Sequence, residues 1–194
     1  MNLLLPWQAP DLAAWEARPV ATGISRGAPP SAARDAYRRV IARERPGPPE
    51  ENGPYAGVAR AIAGYRVFPD WLIAPVLRRA PVRPGDTVGI FFRPLRLFFA
   101  ARVSEVIDAP FLAGFTYQTL QGHPEYGEET FAVEKDPQSG NITASLESWS
   151  LPGLPLTRLA TPLVRWLQRF ASEQALRNLE RYAGCAAASG PSSE

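Results

Sequence analysis

Residues 161–184 read TPLVRWLQRFASEQALRNLERYAG, and this stretch, set behind a run of strand-like segments, decides the fold. Thr161 is a good helix N-cap. Pro162 suits the first helical position, where its missing N–H would have had no partner anyway. Leu163, Trp166, Leu167 and Phe170 then fall on one helical face, with Arg165, Arg169 and Glu173 elsewhere. Past Gln174 the stripe moves: Leu176, Leu179 and Ala183 share a different face, and Gly184 stands where a C-cap glycine would. At 1.5 Å per residue this helix runs roughly 33 Å, enough to cross a whole sheet.

Upstream of it, from Asp86, the texture is that of strands. Thr87–Phe92, Leu97–Ile107, Gly114–Gln121, Glu129–Glu134 and Asn141–Ser150 are rich in β-branched and aromatic residues. Short breakers separate them, among them Arg93-Pro94, Asp108-Ala109-Pro110 and Gly122-His123-Pro124. Such loops favour antiparallel neighbours, because a parallel crossover needs roughly a dozen residues. The expected fold class is α+β, a curved antiparallel sheet wrapped around the long C-terminal helix. A grip of that kind can leave a cavity between sheet and helix.

The remainder divides by composition. Residues 1–53 are rich in Ala, Pro and Arg and read as an N-terminal extension. It would hold one helix over Ser31–Arg45, capped by Ser31 and striped by Tyr37, Val40 and Ile41, with Pro46-Gly47-Pro48-Pro49 as a linker. Residues 54–184 would form the helix-grip domain. A second helix is expected there from Tyr55 to about Tyr65, then an apolar stretch over Trp71–Leu77 whose helical length Pro69 and Pro75 limit. Residues 185–194 are small and polar and read as a disordered tail.

Composition excludes several classes. The 194 residues carry 45% hydrophobic and 21% charged side chains, ordinary for one globular domain. A net charge of +2 gives no field for nucleic acid or a membrane surface. Lys135 is the only lysine, and the Arg, Ala and Pro usage looks like a GC-rich bacterial genome. One cysteine, Cys185, allows no internal disulfide, and no stretch approaches the ~18 apolar residues of a membrane span. Met1–Pro6 lacks a secretory signal's basic start, so the expected location is cytoplasmic.

The segment Gly114-Phe115-Thr116-Tyr117-Gln118-Thr119-Leu120-Gln121-Gly122-His123-Pro124-Glu125-Tyr126-Gly127-Glu128-Glu129-Thr130-Phe131 resembles the signature of domain of unknown function 1990. Arg102-Val103, Ser150-Leu151-Pro152 and a final helix carrying Pro162, Arg165 and Gln168 look like the same family. Gln118 stands where the family usually has glycine, and Leu151 where a basic residue is common. The resemblance implies a START-like, helix-grip fold and brings no established activity.

The densest polar constellation among the strands is His123, Glu125, Glu128 and Glu129. His123 is the sole histidine and so the ordinary side chain expected to titrate near neutrality. Glu125 and Glu129 flank Gly127, and a turn there would bring both carboxylates to one mouth of the sheet. Three readings stay open. In the first, a small apolar or amphipathic molecule binds between sheet and final helix. Arg102, Tyr117, His123, Glu125 and Glu129 would orient its polar group, and Trp149, Trp166 and Phe170 would wall its apolar part. In the second, an enzyme of cyclase, dehydratase or hydrolase type uses His123 with Glu125 or Glu129 as acid and base. In the third, the chain is a structural or interaction protein with a filled core, and the glutamates pair with arginines such as Arg102. Neither a Walker loop, a dinucleotide fingerprint nor a Cys/His zinc pattern is present, so no cofactor and no metal is expected.

Overall fold

The computed structural model describes residues 2–5, 8–21, 28–152 and 161–188, the side chains at 152, 161–164, 187 and 188 excepted. In chain order its elements are β1 (Asn2–Leu3), α1 (Ala13–Glu16), β2 (Ala33–Arg43), α2 (Pro54–Ala63), β3 (Ile73–Val76), β4 (Thr87–Phe92), β5 (Leu97–Ala109), β6 (Leu112–Thr119), β7 (Glu125–Lys135), β8 (Asn141–Pro152) and α3 (Thr161–Ala188). One antiparallel sheet runs in the order β2-β8-β7-β6-β5-β4-β3, with β1 added against β5. Register shifts at Val40/Ala42 in β2 and Val103/Glu105 in β5 mark bulges, which bend strands and add twist. The sheet curls around α2 and α3: α2 lies on β6 and β7, and α3 runs beside α2 over β2 and β8. This is the helix-grip arrangement.

Concave-side packing follows from strand alternation. Phe115, Phe131, Val133, Ile142, Ala144 and Leu146 point inward and meet Val58 and Ile62 of α2 with Leu176 and Leu179 of α3. Each large apolar side chain buried there is worth about 1.5–3 kcal/mol. The stripe Leu176-Leu179-Ala183 is thus the one that grips the sheet. The convex face of β3–β6 has its own smaller core, in which Trp15 and Leu12 of the N-terminal segment cover Phe91, Phe98, Ala100 and Leu120.

Three expectations need correction. Ser31–Arg45 is not a helix but strand β2, which pairs with β8 from Ala33 to Arg43. Tyr37, Val40 and Ile41 fit helical spacing, but Asp35, Tyr37, Arg39 and Ile41 also alternate. Pairing along eleven residues satisfies a backbone that the short apolar stripe could not hold as a helix. Trp71–Leu77 contains the outermost strand, β3, where Pro75 is tolerated because an edge needs fewer donors. Finally, Gly184 does not end the last helix, which continues to Ala188 and takes in the exposed Cys185. Residues 189–194 and the Thr161-Pro162 cap side chains lie outside the described residues.

Candidate functional site

Cross-strand registers show how the polar site arises. One concave row, Phe115–Phe131–Leu146–Tyr37, is mostly apolar. The next, two residues along each strand, is Tyr117–Glu129–Ser148–Asp35. Beyond it lie Thr119, Gly127 and Ser150, the Thr119 hydroxyl accepting the Gly127 N–H at 3.0 Å. The strands therefore carry the core at one end and a polar patch at the other, facing the first turns of α3.

Within that patch the Tyr117 hydroxyl donates to Glu129 Oε2 at 2.6 Å. Gln168 of α3 donates through Nε2 to Glu125 Oε2, and Ser150 Oγ donates to Glu125 Oε1 at 3.4 Å. Arg165, three residues before Gln168, donates to Asp35 Oδ1 at 3.0 Å. Tyr65 enters from behind, just past the end of α2. It holds a left-handed φ of 51° and is ringed by Phe68, Phe115, Tyr117 and Phe131 at centroid distances of 5.8–6.3 Å. A non-glycine residue in that backbone region persists only where its surroundings impose it.

Burial raises the Glu129 carboxyl to about 7, helped by the nearby charges of Glu125 and Asp35 and opposed by the Tyr117 hydrogen bond. Glu125 is raised too, again chiefly by burial. Both phenols are pushed upward by burial and by Glu129. Yet Glu129 keeps some solvent contact. Glu129 thus joins a strongly desolvated carboxyl to a residue that is not fully buried. Nearby, Gln168 Oε1 and Arg165 Nη1 are shielded from solvent and have no hydrogen-bond partner, while the buried Tyr65 hydroxyl lies within hydrogen-bonding influence of Tyr117. Unpaired buried polar atoms are rare, and two in one place call for water or a ligand.

His123 does not behave as its type suggests. It is buried in the β6–β7 turn, edge-on to Phe99 at 4.5 Å. Its Nδ1 lies 2.7 Å from the Glu125 carbonyl and 3.1 Å from the Glu125 N–H, donating to the first in one tautomer and accepting from the second in the other, while Nε2 is buried with no partner. Desolvation lowers its pKa to about 3. The imidazole is therefore neutral at physiological pH, and the group balanced near neutrality is Glu129.

The structure brings Tyr117, Glu125 and Glu129 together and puts His123 beside them. Arg102 and Trp149 lie on the opposite face, in the convex row Arg102–Gln118–Glu128–Trp149. Arg102 pairs with no glutamate side chain there: its Nη2 donates to the backbone carbonyls of Glu16 and Arg18. Trp166 is 60% exposed, stacked on Phe170 at 5.7 Å, and Phe170 meets Trp71 edge-on at 6.2 Å. These rings form an outer aromatic cluster on α3. One cavity of about 360 Å³ opens beside Arg102 and another of about 930 Å³ beside Glu50; Glu125 and Glu129 line neither. Among the described residues no group of three acidic, histidine or cysteine side chains is placed to hold a metal ion.

The family described as Domain of unknown function (DUF1990) matches residues 17–178. The chain belongs to that family. A Deinococcus radiodurans protein described as UPF0548 protein is 35% identical over 137 residues, 64% of this chain and 69% of that one. A UPF0548 protein of Dictyostelium discoideum is 30% identical over 112 residues, about half of each chain (51%). Among solved structures, a hypothetical protein from Helicobacter pylori superposes with a TM-score of 0.54 at 10% identity, over 79% of this chain and 88% of its own. Ara h 8.0201 superposes at 0.47 with 11% identity, over 80% and 99%. Among the described residues of this DUF1990 chain, no helix is long and apolar enough to cross a membrane.

Sequence reasoning missed two residues of this candidate site, Asp35 and Tyr65, and used Ser150, Arg165 and Gln168 only as marks of resemblance. Asp35 was hidden by the helical reading of β2. Arg165 and Gln168 had a signal of their own, since two polar residues three apart in an otherwise apolar first half define a face.

Proposed function

We propose that this protein binds a small molecule at the polar end of the concave face, between the sheet and the C-terminal helix. Glu125, Glu129 and Gln168 hold its polar group, while Trp166 and Phe170, on the other side of the helix from Gln168, take no part. What carries the reading is the desolvated Glu129 carboxyl, set in a polar patch in which Gln168 Oε1 and Arg165 Nη1 of the covering helix have no hydrogen-bond partner. The concave aromatics pack against one another at 5.5–6.4 Å, which leaves little space deep in the core. That favours a compact, partly polar ligand over a long lipid chain.

Native mass spectrometry of the purified protein, beside the same sample denatured, tests the proposal. A non-covalent adduct present only in the native spectrum and lost in Glu129→Leu supports it. An adduct retained unchanged in Glu129→Leu and in Gln168→Leu places binding elsewhere and defeats it. A second reading, favoured by a carboxyl balanced near neutrality, is an enzyme in which Glu129 moves the proton and Tyr117 positions it. Recovery of the adduct chemically unchanged after prolonged incubation would argue against that reading, with His123, neutral and engaged with the Glu125 backbone, already ill suited to be its acid.

A further inference from the structure

The C-terminal helix is held in two different ways along its length. Its rear is anchored in the concave core, where Ala175, Leu176, Leu179 and Ala183 are buried. Asn178 Nδ2 donates to the carbonyls of Arg66 and Val67 at 3.0 and 3.2 Å. Gly57 of α2 comes so near that a Cβ on it would stand 3.2 Å from the Tyr182 carbonyl oxygen. Close-packed contacts of this kind separate only when the core itself opens.

The front of the helix has no such anchor. From Arg165 to Ala171 no residue is buried, and Trp166 is 60% exposed. Three contacts tie this stretch down instead. Arg165 Nη2 donates to Asp35 of β2, at one edge of the sheet, and Gln168 donates to Glu125 of β7. On the other side of the helix the Phe170 ring meets Trp71, which precedes β3 at the opposite edge. The Arg165–Asp35 pair keeps partial access to water, where an ion pair adds little net stability. Both polar ties are also imperfect, since Arg165 Nη1 and Gln168 Oε1 are shielded from solvent and unpaired. Atoms of that sort cost free energy while the helix is down and regain water when it lifts. The boundary falls at Ser172 and Glu173. Ser172 is the first buried residue after Arg165, and Glu173 is held from two sides, by Arg39 at 2.7 Å and Arg177 at 2.9 Å.

We propose that α3 works in two parts: its front, through Ala171, is a lid over Glu125 and Glu129 that lifts about Ser172–Glu173 while the rear stays docked. A lid accounts for carboxyls that line neither cavity while the helix is down. Moving segments are drawn from the least stable parts of a fold, and the front of α3 is such a part. Its use in admitting a small molecule rests on the binding reading given above, whereas the motion itself does not.

The test is hydrogen–deuterium exchange of the full chain, read by mass spectrometry in peptides that separate 165–171 from 175–183. Beside it, carbodiimide coupling of glycine amide measures how fast the Glu129 carboxyl is reached. Neither readout uses a ligand, so the outcome stands apart from that of the adduct experiment. The expected result is exchange at 165–171 at least about tenfold faster than at 175–183, as separate opening implies. Arg165→Met and Gln168→Met each remove one tie. Each should speed exchange at 165–171 by about threefold or more and leave 175–183 unchanged. Labelling of Glu129, which accepts from Tyr117 rather than from the helix, should rise with it. Equal exchange along the whole helix overturns the proposal, because α3 then opens only as a unit. So does faster exchange at 165–171 with Glu129 labelling unmoved in both variants, which is the fraying of a helix end that covers nothing. If a variant loosens 175–183 as well, the unmodified chain in low urea decides. Glu129 labelling must then rise together with exchange at 165–171 and ahead of 175–183, and a rise only with 175–183 overturns the proposal.

Discussion

Replacing Lys135 by methionine should be among the most damaging single changes in this protein, although Lys135 touches no proposed ligand. Its side chain is fully buried, and Nζ donates to Glu44 Oε2 at 2.7 Å and to the Pro48 carbonyl at 2.9 Å. Glu44 in turn accepts the Tyr55 N–H at 2.7 Å, near the start of α2, and the Glu50 N–H at 3.2 Å. The pair thus joins the end of β7 to the end of β2 and to the first turn of α2. Removing one member of a buried ion pair leaves the other uncompensated and costs about 3–5 kcal/mol. A domain has only about 5–15 kcal/mol in all. With a urea dependence of about 2 kcal/mol per molar, the unfolding midpoint should fall by about 2 M. Lys135→Met combined with Glu44→Gln should recover part of the loss, because the glutamine oxygen can still accept the Tyr55 N–H without a stranded charge. Urea unfolding followed by circular dichroism and tryptophan fluorescence measures both variants. A loss below about 1 kcal/mol for Lys135→Met, or a double variant worse than the sum of the single ones, would refute the reasoning. The same geometry explains why the only lysine of an arginine-rich chain stands here: a compact ammonium fits a sealed site between one carboxylate and one carbonyl, where a planar guanidinium does not.

Other outcomes follow from the same structure. The His123 ring resonances should not titrate between pH 5 and 8 in an NMR series; a midpoint near 6.5 would mean the ring is not desolvated as described. Trp15→Ala removes a fully buried ring set edge-on to Phe98 at 6.2 Å and under the Arg18 guanidinium at 3.9 Å. It should cost about 3–5 kcal/mol in urea unfolding, and a cost under about 1 kcal/mol would show that the N-terminal segment adds little to the fold. Glu129 holds a proton in the folded state that the unfolded chain has released, so its contribution makes stability fall as pH rises from 4.5 to about 7. Glu129→Gln should flatten that slope in urea midpoints measured across the window; an unchanged slope assigns the effect to another group.

Much of this architecture is legible in the sequence, for a physical reason. The strands from Thr87 to Ser150 alternate inward and outward residues and are cut by strong breakers, so local chemistry and global fold agree there. Glu125 and Glu129 do share a face, but not through the turn expected at Gly127: that residue lies within β7, where an even spacing keeps both side chains on one side. β2 was not, because Tyr37, Val40 and Ile41 satisfy a helical period as well as a strand's, and what decides between them is β8, more than a hundred residues away. Arg102 and Trp149 were grouped with the glutamates by chemical type, whereas strand parity, once the register across β5–β8 is fixed, puts them on the other face. His123 was read by its intrinsic proton affinity, which burial overrides. Tyr65 gives no signal in the chain, because its left-handed backbone and its ring of aromatic neighbours are products of packing.

The central claim is that Glu129, on the concave face, carries a desolvated carboxyl. It is tested most directly by carbon-13 NMR titration of the Glu129 side-chain carboxyl, assigned by comparison with Glu129→Gln. The expected midpoint is about 7, rising further in Tyr117→Phe because the phenol's hydrogen bond stabilises the charged form. A midpoint near the 4.5 of an ordinary glutamate, indifferent to Tyr117→Phe, would show that the Glu129 carboxyl is open to water and would remove the basis for a ligand site there.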